Sequence, residues 1–121
     1  MSDRDGGASA NPLPIRDGTV LGVDAGPVLS ILEPLPEEIS IVLSRFDDLT
    51  PELLGRVGPD CVAAPLVAPG FDILDLAQRL DSLDYAGTLV AITFPIPDRD
   101  VVLREVGATS ASIDFHLLEI R

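Results

Sequence analysis

Apolar runs of strand length alternate with amphipathic stretches along this chain. Ile39–Ser44, Cys61–Leu66, Thr88–Phe94 and Ile113–Ile120 are predicted strands, and Thr50–Val57, Asp72–Leu83 and Asp98–Val106 are the predicted helices between them. Strand then helix, three times over, predicts parallel strands joined by right-handed crossovers, an α/β class. Ile39–Ser44 shows no polar face until its end. Such a run predicts a central strand buried on both faces. Asp114, His116 and Glu119 interrupt the last run and predict an edge strand with one exposed side.

The helix boundaries have local causes. Thr50 suits an N-cap, Pro51 the first helical position, and Glu52 the positive end of the dipole. Leu49 and Leu54 have the spacing of a hydrophobic staple, and Gly58-Pro59 stops the helix. Asp72 caps the next one, on which Ile73, Leu76, Ala77, Leu80 and Leu83 form a stripe. Asp75 and Arg79 make an outer pair four residues apart. Asp98 caps the last helix, with Val102, Leu103 and Val106 toward the sheet and Gly107-Ala108 as its stop.

Before the first clear strand the pattern is weaker. Residues 1–18 are rich in Gly, Ser, Asp, Asn and Pro and predict a flexible tail or an extended surface arm, leaving 19–121 as a single domain. Thr19–Val23 and Val28–Leu32 are two short apolar runs, which form a hairpin or cover the sheet. The chain stops after its final predicted strand. An uncovered sheet face or edge there favours a protein partner or a homodimer, unless the N-terminal segment fills it.

Charge narrows the partners. The 121 residues carry 20 acidic and 8 basic side chains, for a net charge of −12. That balance argues against nucleic acid and against anionic membranes. No apolar run reaches the roughly 20 residues of a membrane span. The opening Met-Ser-Asp-Arg-Asp-Gly-Gly is not a secretory signal, so a cytoplasmic location is expected. Aromatics are 4% of the chain, so Leu, Val, Ile and Ala must build the core. The single cysteine, Cys61, excludes an intrachain disulfide and reads as a small buried hydrophobe.

The segment Pro59-Asp60-Cys61-Val62-Ala63-Ala64-Pro65 through Pro69-Gly70-Phe71-Asp72 resembles the receiver domain of two-component response regulators. That pattern is a Pro-Asp, an apolar strand, a phospho-accepting aspartate, then a Pro-Gly loop before an amphipathic helix. The acceptor position matches Pro65, which has no carboxylate. Thr93 matches the family's Ser/Thr at the end of the next strand, and Gly107-Ala108 its Gly-Ala. The family's late lysine has no counterpart, and Asp24 is a single acid where the family uses a pair for magnesium. The resemblance implies a small three-layer flavodoxin/CheY-like parallel sheet flanked by helices, truncated after the last strand. It also implies a degenerate, pseudo-receiver-like module without phosphotransfer. The chain is further similar to small alphaproteobacterial proteins that lend it no activity.

No catalytic, cofactor or metal set assembles from the sequence. Asp47 and Asp48 are adjacent and lack partners at ligand spacing. No glycine-rich phosphate cradle is present. His116, the only histidine, has Asp114 two residues away, about 6.5–7 Å along a strand, which predicts no tight dyad. Ser110 and Ser112 carry no nucleophile motif around them. Ligand sites of open parallel sheets lie beyond the strands' carboxyl ends. An interaction surface is therefore expected on Arg45, Phe46, Leu66, Phe71, Phe94 and Ile96, where exposed Phe would separate surface from core. The function expected is a non-catalytic interaction or regulatory module. The alternatives are a structural subunit of a complex, or a small enzyme or small-ligand-binding protein.

Overall fold

A computed structural model describes residues 12–32 and 35–120. The strands of its main sheet are β1 (Gly18–Val23), β2 (Ile39–Ser44), β3 (Cys61–Pro65), β6 (Thr88–Thr93) and β7 (Asp114–Glu119). They are all parallel, in the order β2-β1-β3-β6-β7. The helices are α1 (Gly26–Leu29), α2 (Pro51–Val57), α3 (Ile73–Ser82) and α4 (Arg99–Thr109). A two-stranded antiparallel ribbon, β4 (Val67–Ala68) with β5 (Phe71–Asp72), precedes α3. The predicted α/β class with a parallel sheet flanked by helices is the observed one.

Each face of the sheet has its own apolar cluster. On one, Leu21, Val23, Val62, Ala64, Leu89, Ala91 and Leu117 meet the buried stripe of α3, Val106 of α4 and Leu49 before α2. On the other, Val20, Ile39, Cys61, Ala63, Val90 and Ile92 are covered more thinly, by Val28 and Leu29 of α1, Leu32 and Leu35, and Leu13 and Ile15. Residues 1–11 of the expected tail lie outside the described residues. Leu13, further along it, is buried and packs on the sheet.

The caps expected for α2 and α3 form. The Thr50 hydroxyl accepts the Leu53 amide at 3.1 Å, and Gly58 ends α2 at φ +57, in the left-handed region. Asp72 and Asp75 form a reciprocal capping box, each carboxylate accepting the other's backbone N–H. With its carboxylate committed there, Asp75 does not pair with Arg79, which reaches the Leu49 carbonyl instead.

Three expectations are corrected. β2 is an edge strand, not a central one; Ile41, Val42 and Leu43 are 41%, 37% and 60% exposed. β1, with two glycines among its six residues, takes the inner place instead. Apolarity reports what a strand would bury, not where the chain's crossovers put it. Of the two readings of Val28–Leu32 the cover holds and the hairpin does not, because Pro27 at the start of α1 and the Leu29-to-Ala25 hydrogen bond wind the run into one helical turn against the sheet. Asp98 makes no side-chain cap. Helix α4 runs past Gly107-Ala108 to Thr109, where the next turn is anchored by buried Ser110 donating to Asp81.

Candidate functional site

In the strand order found here the crossover direction reverses between β1 and β3. Ligands of open α/β sheets bind at the carboxyl end of such a switch point. Asp24 follows β1 directly, and Pro65 ends β3. Beside Pro65 lies a crevice of about 200 Å³. Its floor is Pro65, Ile92 and Ile120, and α1 contributes Val28. Leu66, Val67 and Phe94 form the rim, and among the described residues Thr93 is the only polar one lining it.

The sequence places these side chains there for identifiable reasons. Pro65 is the last residue of β3 and is paired with Ile92. Proline donates no backbone N–H, so it suits a strand's end. Pro69-Gly70, with Gly70 at φ +99, supplies the positive φ that a type II turn needs at its third residue. The turn folds β4 back on β5, presenting Val67 outward at 73% exposure and burying Phe71. Phe94 follows β6 and is 61% exposed. Glu119 of β7 accepts the Ile96 amide at 3.1 Å and pairs with Arg99, which fixes the loop carrying Phe94 to the sheet.

The expected interaction surface divides. Leu66 and Phe94 meet at the crevice. Phe46 stacks on Phe71 and lines a separate, shallow depression with Arg79, Gln78 and Ser82 of α3. Phe71 is core rather than surface, at 5% exposure. Arg45 is exposed beside Asp47, at 3.9 Å. Ile96 is half-buried against the helical layer. Sequence reading did not include Val67, Val28, Ile92 or Ile120 in the site. The Pro69-Gly70 pair signals a turn in the sequence, but the two-residue strands that it joins are too short to carry a pattern of their own.

Several polar groups elsewhere have structural partners. Asp24 accepts the Phe46 amide at 3.0 Å and donates its own amide to Ser44, holding the start of the β2–α2 connection. Asp81 accepts from the Ser110 and Ser112 hydroxyls. The expectation that His116 and Asp114 do not meet is corrected: Nε2 lies 3.0 Å from Asp114 Oδ2. The backbone spacing holds, but both side chains rise from the same sheet face and lean together. The pair is exposed and has no third group to orient it. Burial, and secondly the charge of Asp60, pushes the Cys61 thiol up to about 12, so it is not a nucleophile at neutral pH. Tyr85 is raised too, chiefly by burial, and its hydroxyl donates to the Thr88 carbonyl. Among the described residues no group of three or more His, Cys, Asp or Glu could hold a metal ion. None of their helices is long and apolar enough to cross a membrane.

No protein-family model matches the chain, and no curated protein matches it. A solved structure does. The chain is similar to a two-component response regulator of the LuxR family from Aurantimonas sp. SI85-9A1, with a TM-score of 0.57 and 16% identity. The match covers 84% of this chain and 74% of that one. The relationship is one of fold, and the fold is flavodoxin/CheY-like.

Proposed function

We propose that this chain is a non-catalytic interaction or regulatory module of receiver-like architecture, whose crevice takes an apolar side chain of a protein partner. One observation carries the reading. At the switch point, where the resemblance to receiver domains puts the phospho-acceptor, stand Pro65 and an apolar crevice lined, among the described residues, by Thr93 as its one polar side chain. A site for a phosphoryl group and its metal needs convergent charge. An exposed apolar rim, here Val67 and Phe94, is what a docking site presents. The net charge of −12 favours basic residues flanking the partner's anchor.

The test has two arms. Intact mass is measured after incubation with acetyl phosphate and magnesium; no phosphoryl adduct is expected. In parallel a displayed peptide library is selected on the protein. Enrichment of peptides with one large apolar residue beside Lys or Arg, lost on Phe94→Ser, supports the reading. A hydroxylamine-labile aspartyl adduct, or selection indifferent to Phe94→Ser, sinks it.

A further inference from the structure

The two edges of the sheet are treated differently. An edge strand offers unpaired backbone groups to other chains, and proteins usually blunt it with charge, proline or a bulge. β7 conforms, with Asp114, His116 and Glu119 along it. β2 does not. It reads Ile39-Ser40-Ile41-Val42-Leu43-Ser44, six residues without a charge in a chain of net charge −12. The side chains of Ile41, Val42 and Leu43 are all exposed.

Its backbone is open in a definite pattern. Gly18 donates to the Glu38 carbonyl and Asp24 to the Ser44 carbonyl across the β1–β2 pair. In a parallel ladder every second residue faces the neighbour. Ser40, Val42 and Ser44 therefore turn N–H and C=O toward β1, while Ile41 and Leu43 turn theirs outward.

We propose that β2 is a self-association edge, on which a second copy of this chain pairs antiparallel about a two-fold axis at Val42. The strand is self-complementary in that register. With Val42 opposite the second copy's Val42, Ile41 falls opposite Leu43 and Ser40 opposite Ser44. The outward groups of Ile41 and Leu43 then meet as hydrogen-bonded pairs, and Val42 becomes a non-hydrogen-bonded pair. Apolar meets apolar on one sheet face; valine meets valine and serine meets serine on the other. Shifting the axis to Ile41 sets Ser40 against Val42 and loses the match. Two copies each carrying −12 repel one another, and the uncharged strand is where they approach at least cost. A C2 contact uses the same patch twice, as this register does.

Site-directed cross-linking tests the register. Non-hydrogen-bonded antiparallel pairs bring Cα atoms to about 4.5 Å, within disulfide range. The native Cys61 is buried and stays silent. Mild oxidation of Val42→Cys is expected to give a disulfide-linked dimer on a non-reducing gel. Ser40→Cys and Ser44→Cys should stay monomeric alone and cross-link when mixed. Light scattering at roughly 100 μM, enough to fill a micromolar interface, should show a wild-type dimer and a monomer for Val42→Lys with unchanged circular dichroism. Cross-linking of Ser40→Cys with Val42→Cys instead overturns the register. A monomeric wild type overturns the proposal, and a dimer appearing only after removal of residues 2–11 assigns the edge to the chain's own N-terminal segment. A dimer that survives Val42→Lys overturns it as well.

Discussion

The ring of Phe46 lies face to face on that of Phe71, with centroids 4.6 Å apart and planes 10° from parallel. Phe71 is buried in the helical-side cluster, and Phe46 covers it from the end of β2. Two of the four phenylalanines thus serve to close the core beneath the β2–α2 connection. Phe94 is the one left on the surface at the crevice.

Substitution separates these roles. Phe71→Ala is expected to cost about 3–5 kcal/mol, the usual penalty for emptying a buried aromatic site. Phe46→Ala should cost less, since its ring is half-exposed, but more than its lost area alone because stacking adds about 0.5–1.5 kcal/mol. Phe94→Ala should stay within about 0.5 kcal/mol of the parent. Urea unfolding read by far-ultraviolet circular dichroism gives all three. A Phe94→Ala loss as large as that of Phe71→Ala would place Phe94 in the core.

Arg79 provides a second, more local test. Its Nη2 donates to the Leu49 carbonyl at 2.7 Å, tying α3 to the residue before the α2 cap. Leu49 is fully buried, so the carbonyl without this donor is left unsatisfied. Arg79→Ala should destabilise by about 1–3 kcal/mol. Arg79→Gln, which keeps a donor on a shorter arm, should fall between. Equal melting of Arg79→Ala and the parent would mean that water replaces the guanidinium.

What the sequence revealed and concealed follows the range of the forces. The Thr50 and Asp72 caps were legible because donor and acceptor lie three residues apart. The position of β2 was not. Whether Ile39–Ser44 lies inside or at an edge depends on which side of β1 the chain returns to, and no residue within the strand encodes that. The switch-point site was legible through Pro65 and Thr93, which end neighbouring strands. Its other walls were not, since Val28 lies in α1 and Ile120 just after β7, far apart in sequence. Phe71 looked like a loop residue until Gly70, at positive φ, turned it inward. The Asp114–His116 contact escaped because strand rise fixes Cα separation and leaves the side-chain tips free to converge.

Alkaline pH should weaken the fold. The Cys61 thiol is raised to about 12 from an ordinary value of 9.0, and Tyr85 is raised in the same direction, both mainly by burial. Below the unfolded value both states keep the proton and stability is unaffected. Above it the unfolded chain ionises first, so stability is lost as pH rises from 9.0 toward 12. The urea midpoint should hold at neutral pH and fall through this range. Cys61→Ala should reduce the slope of that fall while lowering the neutral value through its lost packing. A thiol reagent at neutral pH should react slowly with the folded chain and fast in denaturant. A midpoint that is flat up to about pH 11 would show that these groups titrate alike in both states.

Glu119 links the edge strand to the crevice. One carboxylate oxygen accepts the Ile96 amide at 3.1 Å, and the other pairs with Arg99 at the start of α4. The carboxylate is 19% exposed, so its bonds are less screened than those of a surface pair. Removing it with Glu119→Ala leaves the Ile96 amide without its acceptor, at a cost of about 1–3 kcal/mol. Glu119→Gln keeps an acceptor for Ile96 and loses the charge on Arg99, so its loss should be the smaller. The decisive measurement is hydrogen exchange at the Ile96 amide. It should speed up in Glu119→Ala well beyond what the change in global stability explains, while the Leu89 and Ala91 amides in β6 follow global stability alone. With the segment from Phe94 to Asp98 released, the crevice loses its fixed rim. Peptides selected on the parent protein should then bind more weakly, although Glu119 does not line the crevice. Unchanged exchange at Ile96 would show that the Thr93–Ile120 backbone bond, at 2.7 Å, is enough to hold this loop.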